Sequence, residues 1–145
     1  MNVTEDTIRH IIAVRLLLDS VITEINQRAI AHDASKLESP EKEMFEIWRP
    51  RLDELSVDSH EYKEALAQMG EGLAHHYREN RHHPEHFKDG IRGMNLIDLL
   101  EMVCDWEAAA ARKGQAVSME WASKRFGISK DDHIYSIIQN TLDLF

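Results

Sequence analysis

The sequence predicts an all-α fold, and three observations predict it. Apolar residues recur at three-four spacing through most of the 145 residues. No alternation of period two marks a strand, and glycine and proline fall mainly where helices should stop. The chain is 43% hydrophobic and 30% charged, the composition of a globular, soluble protein. Its length suits a single domain over 1–145 with a modest core.

The first helix starts near Thr4 and runs to about Ala31. Val3, Thr7, His10, Val14, Leu17 and Val21 form one stripe, and Ile8, Ile11, Ile12, Leu18, Ile22 and Ile25 fill its neighbours, so the helix should be central and mostly buried. His10 rides on the inward stripe, as either a packed core histidine or a ligand. The helix leads into Arg28-Ala-Ile-Ala-His32-Asp33-Ala-Ser-Lys36. Neighbours on a regular helix point about 100° apart, so His32 and Asp33 converge on one atom most easily where the helix ends. A ring nitrogen and a carboxylate aimed at one point are half of a divalent-metal site; the competing reading is an ordinary helix end with Asp33 or Ser35 as a cap.

Ser39-Pro40-Glu41-Lys42-Glu43 reads as a helix start, with Ser39 as the cap, proline in the first turn and acids at the positive end. That helix carries Met44, Phe45, Ile47 and Trp48 and should end near Pro50. Asp58-Ser-His-Glu61 is a capping box that opens a helix to about Asn80. Gly70 and Gly72 weaken its middle or permit a close helix crossing. Five of the nine histidines then fall between His75 and His86, where Pro84 ends the helix and turns it into a loop. Such a helix end plus loop gathers ligands well, although a polar surface loop has the same composition. Asn95-Leu-Ile-Asp98 caps a helix to Lys113-Gly114 that carries Leu96, Leu99, Leu100, Met102, Val103 and Trp106. Asp98, Glu101 and Asp105 lie on one face of it. Asp105 is flanked by apolar residues, which favours a paired or metal-bound carboxylate over a solvated one. Two short helices, capped at Ser118 and at Ser129–Asp132, close the core over 115–145. His60 and His133 read as surface residues.

The formal charge of −9 argues against a broad surface for duplex nucleic acid or an anionic membrane. No apolar run approaches the ~20 residues of a membrane span, and the N-terminus lacks the basic stretch of a secretory signal. Cys104 is the only cysteine, so no internal disulfide forms, and a cytoplasmic setting in a bacterial or phage-infected cell is expected.

Three motifs in this order carry a resemblance. Arg9-His10-Ile-Ile-Ala-Val14, Ala29-Ile-Ala-His32-Asp33-Ala-Ser-Lys36 and Met102-Val-Cys-Asp105-Trp-Glu-Ala108 together resemble the HD-domain superfamily of metal-dependent phosphohydrolases, across about 4–113. The chain is also similar to a group of small uncharacterised phage and bacterial proteins with His-Asp-x-Ser-Lys and His-His-Pro-Glu-His. Ser35 stands where many HD members have glycine. The resemblance implies an HD-domain-like bundle of five core helices, followed here by the short C-terminal helices. It places His10, His32, Asp33 and Asp105 around one ion, and His76 and His83 at a second, with His75, His82 and His86 as further ligand candidates. The cofactor would be one or two divalent ions of Mn, Fe, Ni, Co or Zn. The implied activity is hydrolysis of a small phosphorylated substrate, a nucleotide first. Asp33, Lys36 and Glu101 are the catalytic candidates, and Lys36, Arg78 and Arg81 would contact the phosphate. Glu101 would act as general base or orient a histidine. Two other readings stay open: a di-iron oxygenase on the same fold, and a non-enzymatic phage-type binding protein with a structural metal. Pairing of two copies is also open, with Trp48 or Trp121 at an interface or in the core.

Overall fold

The computed structural model describes Asn2–Phe145. Those residues are all helical in architecture, with 74% helix, seven α-helices and no strand. They divide into two compact units, 1–32 and 33–145.

The first unit is one helix, α1 (Val3–Ala31). Asn2 caps it, its Oδ1 accepting from Thr4 N at 3.1 Å, and Glu5 and Asp6 sit at the positive end of the helix dipole. None of its residues is buried, contrary to the burial its apolar stripes predict. A lone helix has no second layer of its own to cover such stripes.

The second unit begins at Asp33, which adopts the left-handed conformation (φ 56°). Aspartate tolerates this better than most residues because its short side chain finds local partners. A 3-10 turn over Ala34–Leu37 follows, with Lys36 N donating to Asp33 O at 2.9 Å. Helix α2 (Glu41–Asp53) starts two residues after Ser39, and Glu41 is wholly buried rather than facing solvent. It also runs through Pro50. The proline removes one backbone bond, but the turn beyond it carries Leu52 into a core with Ala65 and Met69, flanked by Met44, Phe45, Trp48 and Leu73.

The long helix expected up to Asn80 is two: α3 (His60–Gln68) and α4 (Gly70–Glu79). Gly70 takes φ +54°, which interrupts the ladder. Ser59 caps α3, accepting from Tyr62 N at 3.1 Å. Gly72 is where α4 crosses α2: a Cβ there would lie 2.8 Å from Met44 Cγ. After two 3-10 turns, Pro84–His86 and Gly90–Gly93, comes α5 (Leu96–Arg112). It opens with the full Asn95/Asp98 capping box. Its apolar face meets α6 (Met119–Phe126) and α7 (His133–Leu142) in a second core built on Met102, Val103, Trp106, Ala122, Ile128 and Ile138. Trp48 and Trp121 are each half-buried against one of these cores. Among the described residues no helix is long and apolar enough to cross a membrane.

Candidate metal centre

Three segments of the second unit supply chemistry to one place: Asp33 with the turn that follows it, the end of α4 with the loop behind it, and one face of α5. Asp33, His76, His82 and His83 each offer a ligand atom within 4.8 Å of the others. Asp105 does the same with Asp33 and His82. Asp33 Oδ1 is the hub, 3.5 Å from His76 Nε2 and 3.6 Å from His82 Nε2. Two ligands that each sit ~2.1 Å from one tetrahedral ion are separated by roughly 3.4 Å, and these two spacings are compatible with that separation. His83 Nε2 lies closer to His76 Nε2, at 2.8 Å, a separation at which one ring donates to the other. Imidazole nitrogens with carboxylate oxygens suit zinc and the divalent first-row metals. The side chains therefore form a group that can hold a metal ion.

The group is held from behind. His76 is 2% exposed, and its Nδ1 donates to Glu41 Oε2 at 2.8 Å. His75 Nδ1 donates to the other oxygen of the same carboxylate at 2.7 Å. Ser35 Oγ donates to Glu41 Oε2 at 2.9 Å, and Asn80 Nδ2 donates to Ser35 Oγ at 2.8 Å and to His76 O at 2.9 Å. Burial pushes the Glu41 carboxyl up, but the bonds from His75, Ser35 and His76 outweigh it and leave its pKa below the usual value. Burial lowers the pKa of His76, helped by the Lys36 charge and opposed by Asp33 and Glu41, so its neutral, ligating form is favoured. On the other side, Glu101 Oε1 lies 3.2 Å from His82 Nδ1, and His82 is 1% exposed.

The acidic face of α5 organises the loop that carries His82 and His83. Arg81 forks onto Asp98, Nε to Oδ1 at 3.0 Å and Nη2 to Oδ2 at 2.9 Å, while Asp98 also caps its own helix. One turn on, Glu101 faces His82; one turn further, Asp105 joins Asp33 and His82. The stripe is thus engaged rather than simply solvated.

His10 is exposed on α1 in the first unit, and His32 is the C-cap of that helix. His75 faces Glu41, and His86 Nδ1 donates to Tyr77 O at 3.0 Å. Arg81, expected at a phosphate, is committed to Asp98, and its guanidinium lies over the Phe87 ring. Arg78 makes an exposed contact with Glu71 at 3.4 Å. Lys36 Nζ donates to Asp33 Oδ2 and sits 4.7 Å above the Phe45 ring. His60 and His133 are exposed, as expected. Sequence reasoning missed Glu41 and Asn80. The one available signal was an acid directly after Ser39-Pro40, and that pattern equally describes a solvent-facing helix start.

A cavity of about 690 Å³ opens beside the group, within the size range of small-molecule sites. Lys36, His76, His83 and Asp105 line it, together with Arg125 and Trp121.

No curated protein and no solved structure matches the chain. The model of DUF5662, a family of unknown function, matches residues 1–144, and the chain belongs to that family.

Proposed function

We propose that this chain is a metal-dependent phosphohydrolase that acts on a small phosphorylated substrate, with a nucleotide as the first candidate. The observation that carries the reading is the convergence of His76, His82 and His83 on Asp33, with Asp105 alongside, beside a cavity of about 690 Å³ that His76, His83 and Asp105 help line. A divalent ion held by such ligands supplies a Lewis acid for a phosphoryl oxygen and an activated water at neutral pH. Asp33 would hold an ion through Oδ1, beside His76 Nε2, while Lys36 donates to Oδ2. Glu41 and Glu101 stand behind the two buried imidazoles. The cations on the cavity wall provide charge for the rest of a phosphate, and aromatic residues such as Trp121 and Tyr77 provide surface for a flat ring. The order of His10, His32-Asp33 and Asp105 in the sequence, which resembles the HD superfamily, supports the same reading and adds His32 and His10 as ligands on sequence grounds.

The test is elemental analysis of untagged protein beside Asp33→Ala, followed by phosphate release from a panel of nucleotides after reconstitution with Mn, Fe, Co, Ni or Zn. One or two ions per chain, lost in the variant together with turnover, is the expected result; His60→Ala should change neither. Absence of any bound metal after reconstitution refutes the reading. Iron with oxygen-dependent turnover would instead favour an oxygenase, and a saturated ion with no turnover a binding protein.

A further inference from the structure

Glu41 is a fully buried carboxylate that belongs to none of the ligand groups. It is 0% exposed, yet it accepts three hydrogen bonds, from His75 Nδ1, His76 Nδ1 and Ser35 Oγ. We infer that Glu41 is a positioning residue that sets the tautomer of His76: by accepting at Nδ1, it leaves the lone pair on Nε2, the atom aimed at Asp33 Oδ1 and His83.

The proton inventory supports only this arrangement. A carboxylate without a proton can only accept, so each ring nitrogen that touches Glu41 must donate. Asn80 Nδ2 also approaches His76 Nδ1, at 3.1 Å, but its two protons are taken by Ser35 Oγ and His76 O. Ser35 accepts from Asn80 and donates to Glu41, so Ser35 and His76 both donate to the same carboxylate oxygen. The same carboxylate holds His75 in the matching tautomer. Adjacent histidines on a helix diverge by about 100°, so Glu41 grips both from one side and orients the buried one toward the cavity. A carboxylate behind a ligating imidazole fixes the ring and strengthens its basicity.

The tautomer does not depend on the metal reading; its consequence for affinity does. Long-range 15N–1H NMR on chelator-treated protein near pH ~8, above the ordinary range of an imidazole, reads the tautomer directly. We expect His75 and His76 as Nδ1–H forms in the wild type. In Glu41→Gln the side-chain amide opposes one ring N–H, and His76 should shift toward the Nε2–H form. Glu41→Asp and Ser35→Ala keep a carboxylate at this position and should retain the wild-type tautomer, which also guards against a variant that fails to fold. Zinc affinity, measured by competition with a chromophoric chelator, should fall about 10–100-fold in Glu41→Gln. His76 found as Nε2–H in the wild type, or unchanged in a folded Glu41→Gln, overturns the inference. A shifted tautomer with zinc affinity within about threefold of wild type removes the role at the metal. A wild type that binds no zinc refutes the metal reading and leaves the tautomer result standing on its own.

Discussion

Arg81→Ala separates two roles for one residue. As a phosphate contact, Arg81 would affect substrate binding and leave stability alone. In the structure its guanidinium forks onto Asp98, which is 0% exposed, through bonds of 3.0 and 2.9 Å. Removing one partner of a fully buried pair costs roughly 3–5 kcal/mol, because the other charge stays desolvated. Two features reduce that here. The Arg81 side chain is 43% exposed, so part of its attraction is already screened, and Asp98 keeps the bond from Asn95 N. Hydrogen bonds to charged groups are worth about 1.5–3 kcal/mol, and about 2 kcal/mol is the expected loss. The fork also anchors the residue immediately before His82, so metal affinity should fall in the same variant. Urea unfolding followed by far-UV circular dichroism measures the first effect, and zinc titration the second. A stability change below about 0.5 kcal/mol, within the range of ordinary surface substitutions, combined with a raised KM, would refute the anchoring argument and restore Arg81 as a substrate contact.

Gly72→Ala should destabilise the second unit by about 1 kcal/mol, because the new Cβ meets Met44 Cγ at 2.8 Å and Cβ at 2.9 Å, and overpacking outweighs the helix-propensity gain; unchanged urea midpoints would show that Met44 simply moves aside. Burial, reinforced by Glu85 and opposed by Arg125, pushes the Tyr77 phenol up to about 12. The folded state therefore holds this proton more tightly than the unfolded chain, whose tyrosine titrates near ~10. The stability it contributes is complete below about pH 10 and is lost as the pH rises toward 12. Spectrophotometric titration beside Tyr77→Phe checks this, and an ordinary tyrosine titration that disappears in the variant would contradict it.

Much of the helical plan was legible in the sequence because caps and breakers act over a few residues. Asn95 with Asp98, Ser118 and Gly114 each mark their helix ends where the structure has them, while the capping box read at Asp58–Glu61 is displaced by one residue, Ser59 being the cap. Two local signals misled for the same reason. Pro50 reads as a stop and Gly70 as a mere weakening, yet burial of Leu52 carries α2 past the proline, and a left-handed Gly70 splits the next helix. A hydrogen bond lost or a dihedral reversed is local, but its outcome is decided by what the neighbouring turn can bury. The apolar stripes of α1 likewise specify a helix without specifying a cover, and none of its residues is buried.

The sequence by itself determined the all-α class and the supply of ligand atoms: His32-Asp33 at a helix end, five histidines around a proline break, and an acidic face on α5. Composition and spacing suffice for that because residue type decides which atoms can bind a metal. Only the tertiary structure decided which of those atoms meet. It grouped His76, His82 and His83 with Asp33, turned His75 and His86 to other partners, committed Arg81 to Asp98, and brought Glu41 under His75 and His76 from 34 and 35 residues away. A buried carboxylate is stable only where several donors reach it at once. Of those donors only Ser35 lies near Glu41 in the sequence; the crossing of α2 and α4 brings the two histidines.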